Sequence, residues 1–185
     1  AKVATSEMGK PLKESIGEVE KCAWALEFYA DHGDSFLSDE VLNTDARKSF
    51  LTFEPLGVIG SIMPWNFPYW QALRFAAPCL MAGNVIVMKP SRVTMQSGIE
   101  IEKAFTESGM PDGIFQTVVG SVESANHLID SDVNAVTFTG STNAGAKVGE
   151  RAAKHLKKCV LELGGSDPFI VLDDAIIEKA AEGAV

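Results

Sequence analysis

The chain has 185 residues, a formal net charge of −9 at pH 7 and 46% hydrophobic residues, values that suit a single globular domain with its own core. Its acidic balance argues against binding nucleic acid through the phosphates, and no apolar stretch reaches the roughly 18–20 residues of a membrane span. No signal sequence opens the chain, and its three cysteines and three histidines are scattered, so we expect a cytoplasmic protein without disulfides or a metal site.

The N-terminal part, residues 1–48, is predicted to be helical. Apolar residues recur there at steps of three and four, the spacing of one helix face; they are Leu12, Ile16, Val19, Ala23, Leu26 and Ala30. Gly33 and the polar residues after it end this helix. Residues 49–63 then have strand character interrupted by Pro55 and Gly57, which predicts a short β excursion of two strands before the main domain.

From residue 64 to residue 185 the pattern alternates between helices and strands. Helices are predicted over 68–81, 94–108, 122–130 and 143–156 and from 175 onward, with strands over 85–88, 116–119, 135–139, 159–161 and 169–172. Strands that are apolar on both faces and alternate with helices form a parallel sheet covered by helices on both sides. The predicted fold class is therefore α/β, with a Rossmann-like sheet.

Four of the predicted strands lead into a polar residue or a glycine. These residues are Lys89, Gly120, Gly140 and Glu162. In open α/β sheets, ligands bind beyond the carboxyl ends of the strands. The sequence therefore predicts that the four residues meet at one edge of the sheet and that a ligand binds there.

The segment FTGSTNAG, residues 138–145, is a candidate phosphate site. The strand leads into Gly140, Ser141 stands at the start of the next helix, and Gly145 follows shortly after. Free N–H groups at a helix start, together with the helix dipole, favour a phosphate, although a plain serine N-cap after a glycine turn gives the same pattern. The GxGxxG fingerprint of ordinary dinucleotide-binding folds is absent.

Two further motifs contain side chains that are able to take part in catalysis. Glu162 in LELGG stands between leucines, and such apolar neighbours suit a carboxylate that acts as a general base. Asn66 in MPWNFP stands just before Pro68, at a predicted helix start, where its amide is able to donate hydrogen bonds to an oxyanion. A loop glutamate before a Gly-Gly turn and an asparagine N-cap are the alternative interpretations.

In this order, the motifs PWNFP (64–68), AGN…KPS (82–91), FTGST (138–142) and LELGG (161–165) resemble the aldehyde dehydrogenase superfamily, and residues 53–58 fit the lead-in to the first motif. The resemblance covers nearly the whole chain. It implies a Rossmann-like NAD(P) domain, a catalytic domain and a small β arm for oligomerisation. Both ends of the chain look like cuts, so we expect residues 1–185 to be a partial cofactor-binding domain without the catalytic domain.

The resemblance also implies the chemistry of the full-length protein. Members oxidise a small-molecule aldehyde to a carboxylate through a cysteine thioester, with hydride passing to NAD(P), and the resemblance implies a homo-oligomer. The nucleophile is expected beyond Val185, because Cys22, Cys79 and Cys159 match no catalytic motif, and the chain alone is expected to be inactive. The alternatives are an acylating or acyl-phosphate-reducing member, against which Glu162 argues, and a non-catalytic nucleotide-binding module.

The resemblance assigns roles to individual residues. Asn66 is expected to be the oxyanion donor, and Glu162 the general base that activates water for deacylation. Lys89 is expected at the adenosine ribose, with Trp65 and Ser141 near the pyrophosphate. The full set of predicted cofactor-binding residues is Met63, Trp65, Lys89, Ser91, Arg92, Gly120, Gly140, Ser141, Gly145, Leu163 and Gly164.

Substrate and cofactor preference rest on two arginines. Phe67, Gln71 and Arg74 share one face of the helix after Asn66, and an arginine in an apolar tunnel suits a substrate carboxylate. This stretch resembles the succinate-semialdehyde dehydrogenases of the family; the alternative is that Arg74 pairs with an acidic neighbour for structural reasons. Arg92 stands where NAD-preferring members often have Glu, which favours NADP over NAD, and a solvated Arg92 at a helix start is the alternative.

Overall fold

The helices and strands of residues 1–184, the part that this computed structural model describes, largely follow the predicted alternation. The helices are α1 (Lys2–Met8), α2 (Leu12–Phe36), α3 (Trp70–Met81), α4 (Met95–Glu107), α5 (Val122–Asp130), α6 (Thr142–Lys154) and α7 (Ile177–Ala184). The strands are β1 (Glu40–Leu42), β2 (Ser49–Leu51), β3 (Val58–Ile62), β4 (Val85–Lys89), β5 (Phe115–Thr117), β6 (Ala135–Thr139) and β7 (Lys158–Glu162). None of these helices is both long and apolar enough to cross a membrane.

Five strands form one parallel sheet in the order β5-β4-β3-β6-β7. β3 lies at the centre and pairs with both β4 and β6, so that Ile59 is opposite Ile86 on one side and Ala135 on the other. The chain builds outward from β3 to β4 and β5, and then crosses back to β6 and β7. The strand order reverses between β3 and β6, and ligands of open α/β sheets bind in the crevice at such a switch point. The predicted α/β, Rossmann-like fold class is confirmed.

The core is divided between the two faces of this sheet. Alternate residues of a strand point to opposite faces, and Ile86 and Met88 of β4 pack into one cluster with α1 to α4. Val87 packs against the second cluster, which contains Ile129 of α5 and Val136 of β6. Helices therefore cover both faces of the sheet, as the sequence predicts.

Helix α2 buries a different face from the apolar one that the sequence indicates. Its buried residues are Ser15, Glu18, Cys22, Ala25 and Gly33. By contrast, Leu12, Ile16 and Val19 are 42%, 43% and 39% exposed. The buried face contains small residues because α2 packs closely on α3: a Cβ at Gly33 would lie 2.6 Å from the sulfur of Met81. The helical spacing predicts this helix, but the tertiary packing sets which face is buried.

The β segments differ from the prediction in two places. The excursion is smaller than 49–63: β1 and β2 form an antiparallel pair with Val41 opposite Phe50, whereas Val58–Ile62 is the central strand of the main sheet. The strand predicted over 169–172 is wrong, because these residues are exposed and form no strand. An apolar run becomes a strand only where its N–H and C=O groups find a partner, and no strand of residues 1–184 pairs with it.

Candidate functional site

The carboxyl ends of the strands bring the sequence motifs to one edge of the sheet. Lys89 and Glu162 are the last residues of β4 and β7, and Met63 and Gly140 directly follow β3 and β6. The Met63 N–H donates to the Lys89 carbonyl at 3.1 Å, and the Gly140 N–H donates to the Glu162 carbonyl at 3.0 Å. Gly120 follows β5 at the same edge, just before α5. The four motifs therefore meet around the switch point between β3 and β6.

Asn66 lies in the loop that follows β3, at this switch point. Its neighbour Trp65 and Asn66 itself are both exposed. The N-cap of α3 is Tyr69, whose side chain makes no capping hydrogen bond. The interpretation of Asn66 as the helix N-cap is therefore wrong. The carboxamide is instead available to donate to a ligand at the sheet edge.

Helix α6 begins at the other side of the switch point. Ser141 is its N-cap, and its Oγ accepts a hydrogen bond from the Ala144 N–H at 3.4 Å. A helix start has four N–H groups without an intrahelical partner, so one serine cap and a phosphate on the remaining groups are compatible. A Cβ at Gly145 would overlap the side chain of Leu163. Glycine at this position therefore lets the LELGG loop lie against the first turn of α6.

Lys89 is a buried cation at the end of β4, with only 6% of the residue exposed. Burial, and in second place the positive charge of Arg92, lower the pKa of Lys89. Lys89 takes part in none of the ion pairs found within residues 1–184. A buried charge without a partner is unfavourable, so Lys89 favours an acceptor or an anion supplied by a ligand.

The loop after Lys89 carries Ser91 and Arg92 and is held by helix α4. A Cβ at Gly98 would lie 2.7 Å from the Cγ of Pro90 and 3.2 Å from the Cγ2 of Thr117. Glycine at position 98 therefore lets α4 pack directly on this loop. The role of Gly98 is not predictable from the sequence, because a single glycine within a helical pattern gives no indication of the loop that packs on it.

Arg74 and Glu162 are neighbours in space, although they come from α3 and β7. An Nη2 of Arg74 lies 3.6 Å from the Oε2 of Glu162, and the two side chains are 42% and 54% exposed. Glu162 is therefore an acidic neighbour of the kind that the alternative, structural interpretation of Arg74 requires. An exposed pair of this kind contributes about 0–1 kcal/mol to stability, so either side chain is able to leave the contact at little cost in free energy.

The other two residues of the Arg74 face have different surroundings. The Gln71 N–H donates to the Phe67 carbonyl at 3.0 Å, and the Phe67 ring lies 3.8 Å from the Nζ of Lys10. The Oε1 of Gln71 is buried and finds no hydrogen-bond partner within residues 1–184. A buried acceptor left unpaired costs about 1–3 kcal/mol; contact between Gln71 and the substrate stays a prediction.

None of the three cysteines has the properties of a nucleophile. Burial raises the pKa of Cys22 and Cys79 to about 12 and also raises the pKa of Cys159, whereas a reactive cysteine needs a lowered pKa. One apolar cavity lies between α1, α2, α3 and α4, away from the motifs. Within residues 1–184, no group of three or more His, Cys, Asp or Glu side chains is arranged to hold a metal.

The whole chain, residues 1–185, matches the family model described as the aldehyde dehydrogenase family. It is 49% identical over 186 residues to a probable succinate-semialdehyde dehydrogenase (NADP+) of Synechocystis sp., covering 100% of this chain and 41% of that protein. It is 43% identical to a succinate semialdehyde dehydrogenase (NAD(P)+) of Escherichia coli, covering 100% of this chain and 40% of that protein. The chain thus spans about 40% of the length of these curated relatives.

Solved structures agree with the sequence comparisons. The chain superimposes with a TM-score of 0.93 on a succinic semialdehyde dehydrogenase from Streptococcus pyogenes in complex with NADP+, at 37% identity, covering 98% of this chain and 40% of that one. The TM-score is 0.91 for a betaine aldehyde dehydrogenase from Staphylococcus aureus in complex with NAD+, at 31% identity, covering 99% and 37%. The motifs, the strand order and both comparisons agree: the chain belongs to the aldehyde dehydrogenase family.

Proposed function

We propose that this chain is the cofactor-binding part of an NAD(P)-dependent aldehyde dehydrogenase, and that the complete enzyme oxidises succinate semialdehyde to succinate. The observation that carries the proposal is the proximity of Arg74 and Glu162 at the carboxyl edge of the sheet. The relatives named as succinate-semialdehyde dehydrogenases support the substrate. The catalytic domain, with the nucleophilic cysteine, is proposed to lie outside these 185 residues.

The residues at the sheet edge fit a nicotinamide dinucleotide. Lys89 is a buried cation without an acidic partner in the described part of the chain, and Ser141 begins a helix whose N–H groups and dipole favour a phosphate. Arg92 adds an exposed positive charge beside Lys89, which suits the 2′-phosphate of NADP+. When bound, the cofactor supplies the hydride acceptor of the oxidation. We therefore propose NADP+ as the preferred cofactor and NAD+ as the second.

Asn66 and Glu162 are proposed to act on the reacting end of the substrate. The attack of the cysteine places negative charge on the aldehyde oxygen, and the Asn66 amide donates a hydrogen bond to it. Glu162 takes a proton from the water that hydrolyses the thioester. Both side chains are exposed at the switch-point edge of the sheet, where a catalytic domain is able to reach them.

Arg74 is proposed to bind the other end of the substrate. Succinate semialdehyde is short, so the residue that binds its carboxylate must lie near the residues that act on its aldehyde. Arg74 meets this condition through its 3.6 Å contact with Glu162. Because this exposed pair contributes only about 0–1 kcal/mol, a substrate carboxylate is able to replace Glu162 at Arg74 at little cost.

The proposal is tested by Arg74→Ala in the complete enzyme. Leaving a bound substrate carboxylate without its partner costs about 2–4 kcal/mol, so kcat/KM for succinate semialdehyde should fall by roughly 30–1000-fold. Butanal has the same number of carbon atoms without the carboxylate and should change little. Steady-state kinetics on both substrates check this, and an equal loss on both would mean that Arg74 is structural.

We also propose that the complete enzyme is a homo-oligomer in which β1 and β2 take part. They form a two-stranded sheet apart from the main one, and an isolated two-stranded sheet is marginally stable in water. Val41 and Phe50 are 80% and 44% exposed on this sheet. Contact with another subunit would remove this apolar surface from water. Localisation in the cytoplasm stays a prediction.

A further inference from the structure

A buried ion pair lies behind the loop that carries Asn66. The Nζ of Lys10 is 2.6 Å from the Oε2 of Glu18, and the two side chains are 5% and 2% exposed. Lys10 precedes α2, and Glu18 lies in the early part of that helix. Taking two charges out of water is costly, and a buried pair is often no better for stability than packed apolar side chains. Stability alone is therefore a poor explanation for this pair.

The second oxygen of Glu18 acts on helix α3. Its Oε1 accepts hydrogen bonds from the N–H groups of Tyr69, at 2.9 Å, and Trp70, at 2.8 Å. The first N–H groups of a helix have no partner inside the helix, and the N-cap residue of α3 supplies none. Glu18 caps α3 from a distant part of the chain and places negative charge at the positive end of its dipole. The carboxylate therefore fixes where α3 begins.

Lys10 holds the same loop at its aromatic residue. Its Nζ lies 3.8 Å from the centroid of the Phe67 ring, within the range of a cation–π contact. Phe67 is adjacent to Asn66, and Pro68, which follows it, is buried. The other end of the loop is held by the hydrogen bond from the Met63 N–H to β4. Asn66 is thus an exposed residue between two fixed points.

We propose that Lys10 and Glu18 are positioning residues for Asn66, acting through Phe67 and the start of α3. The inference rests on the proposed function, in which the Asn66 amide donates to the oxyanion. Such a donor is effective only if it points to the place where charge develops, and a misplacement of order 1 Å costs up to about 100-fold in rate. The pair therefore contributes to the rate of the chemical step more than to the affinity for substrate or cofactor.

The test is a double-mutant cycle in the complete enzyme. Lys10→Met combined with Glu18→Gln removes both charges together, so no unpaired charge is left buried. We expect kcat for succinate semialdehyde to fall about tenfold, which is about 1.4 kcal/mol, while the KM values for substrate and cofactor stay within about twofold. In an Asn66→Ala background the same pair of substitutions should lower kcat by less than about twofold, because the donor that it positions is gone.

Lys21→Met is the matched control. The Nζ of Lys21 lies 4.0 Å from the centroid of the Trp70 ring, so this variant removes the same kind of contact between α2 and the start of α3 without touching the buried pair. We expect Lys21→Met to change kcat by less than about twofold, both relative to the parent and, in the Asn66→Ala background, relative to Asn66→Ala. A loss as large as that of the combined variant would overturn the proposal, because any contact between the two helices would then have the same effect.

The remaining outcomes separate the inference from the proposed function. An equal fold-loss of kcat with and without Asn66 overturns the positioning role, because the pair would then act on the fold in general. If the combined variant does not fold, Lys10→Met alone leaves the Glu18 carboxylate with its hydrogen bonds from the N–H groups of Tyr69 and Trp70, and it goes through the same cycle with an expected loss of about threefold. Turnover of the parent enzyme is measured first; its absence overturns the proposed function and this inference with it.

Discussion

Arg92 is an exposed arginine beside the buried Lys89, and the expected cofactor preference depends on it. In the complete enzyme, Arg92→Glu replaces an attraction for a 2′-phosphate with a repulsion. The ratio of kcat/KM for NADP+ to that for NAD+ should fall by about 5–150-fold, which is about 1–3 kcal/mol, the range of a charge-assisted hydrogen bond. Arg47→Glu makes the same charge change in the exposed segment between β1 and β2 and should leave the ratio unaltered. A ratio that is the same in parent and Arg92→Glu would show that Arg92 does not contact the 2′ position.

The sequence predicts the importance of some residues of the candidate site but not of others. Asn66 and Glu162 stand out because they are polar residues within apolar or glycine-rich motifs, and both are found at the predicted edge of the sheet. Lys10, just before α2, and Glu18, within it, do not stand out, because charged residues on or beside an amphipathic helix usually face solvent. Their importance appears only in three dimensions, since the N–H groups that Glu18 binds are 51 and 52 residues away in the chain.

At the scale of elements, the packing of α4 on the loop after β4 depends on Gly98. In Gly98→Ala the new methyl group would lie 2.7 Å from the ring of Pro90, which is not able to rotate away. We expect a loss of about 1–3 kcal/mol in the free energy of unfolding and a weaker affinity for the cofactor, because this loop follows Lys89 and carries Ser91 and Arg92. Urea unfolding and a cofactor titration measure the two effects.

Gly17→Ala in α2 is the control for this substitution. Gly17 is also inside a helix, and a Cβ there would have no atom within 4 Å. Alanine is preferred to glycine in a helix, so Gly17→Ala should stabilise the protein by about 0.5–1 kcal/mol. If Gly98→Ala stabilises the protein to the same extent, close packing between α4 and the loop is not what requires glycine.

The order of helices and strands is largely predictable from the sequence, but the partners of the elements are not. The alternation of period-3.6 and apolar segments gives α3 to α6 and β4 to β7 to within a few residues. The central place of β3 is missed because Pro55 and Gly57 look like strand breaks. Within β3, Gly60 packs closely against Leu128. The burial of the small-residue face of α2, which includes Cys22, Ala25 and Gly33, is missed because periodicity records hydrophobicity and not the shape of the neighbouring helix.

For the whole molecule, labelling of the three cysteines is able to follow the unfolding of the two clusters of the core. Cys22 and Cys79 pack in the cluster on one face of the sheet, and Cys159 packs against the other. Because burial raises the pKa of Cys22 to about 12, its thiol is almost entirely protonated at pH 8 and reacts slowly. Iodoacetamide should therefore label Cys22 and Cys79 only as the protein unfolds, and Cys159 on the edge strand β7 at lower urea. Mass spectrometry along a urea series measures this, and rapid labelling of Cys22 in native buffer would contradict it.

The parallel pairing of β3 with β6 joins residues 59–62 to residues 135–138, and this has a consequence for the protein as it leaves the ribosome. At about 5–20 residues per second, β6 is synthesised roughly 4–15 s after β3. During that interval β3 has no partner until β4 is made, and afterwards has β4 on one side only, so that its other edge is open to pairing with a neighbouring nascent chain. The crevice between β3 and β6 does not yet exist, so nucleotide binding is not able to stabilise the partly formed sheet. We therefore expect the chain to be most prone to aggregation in this interval, when the edge of β3 is unpaired.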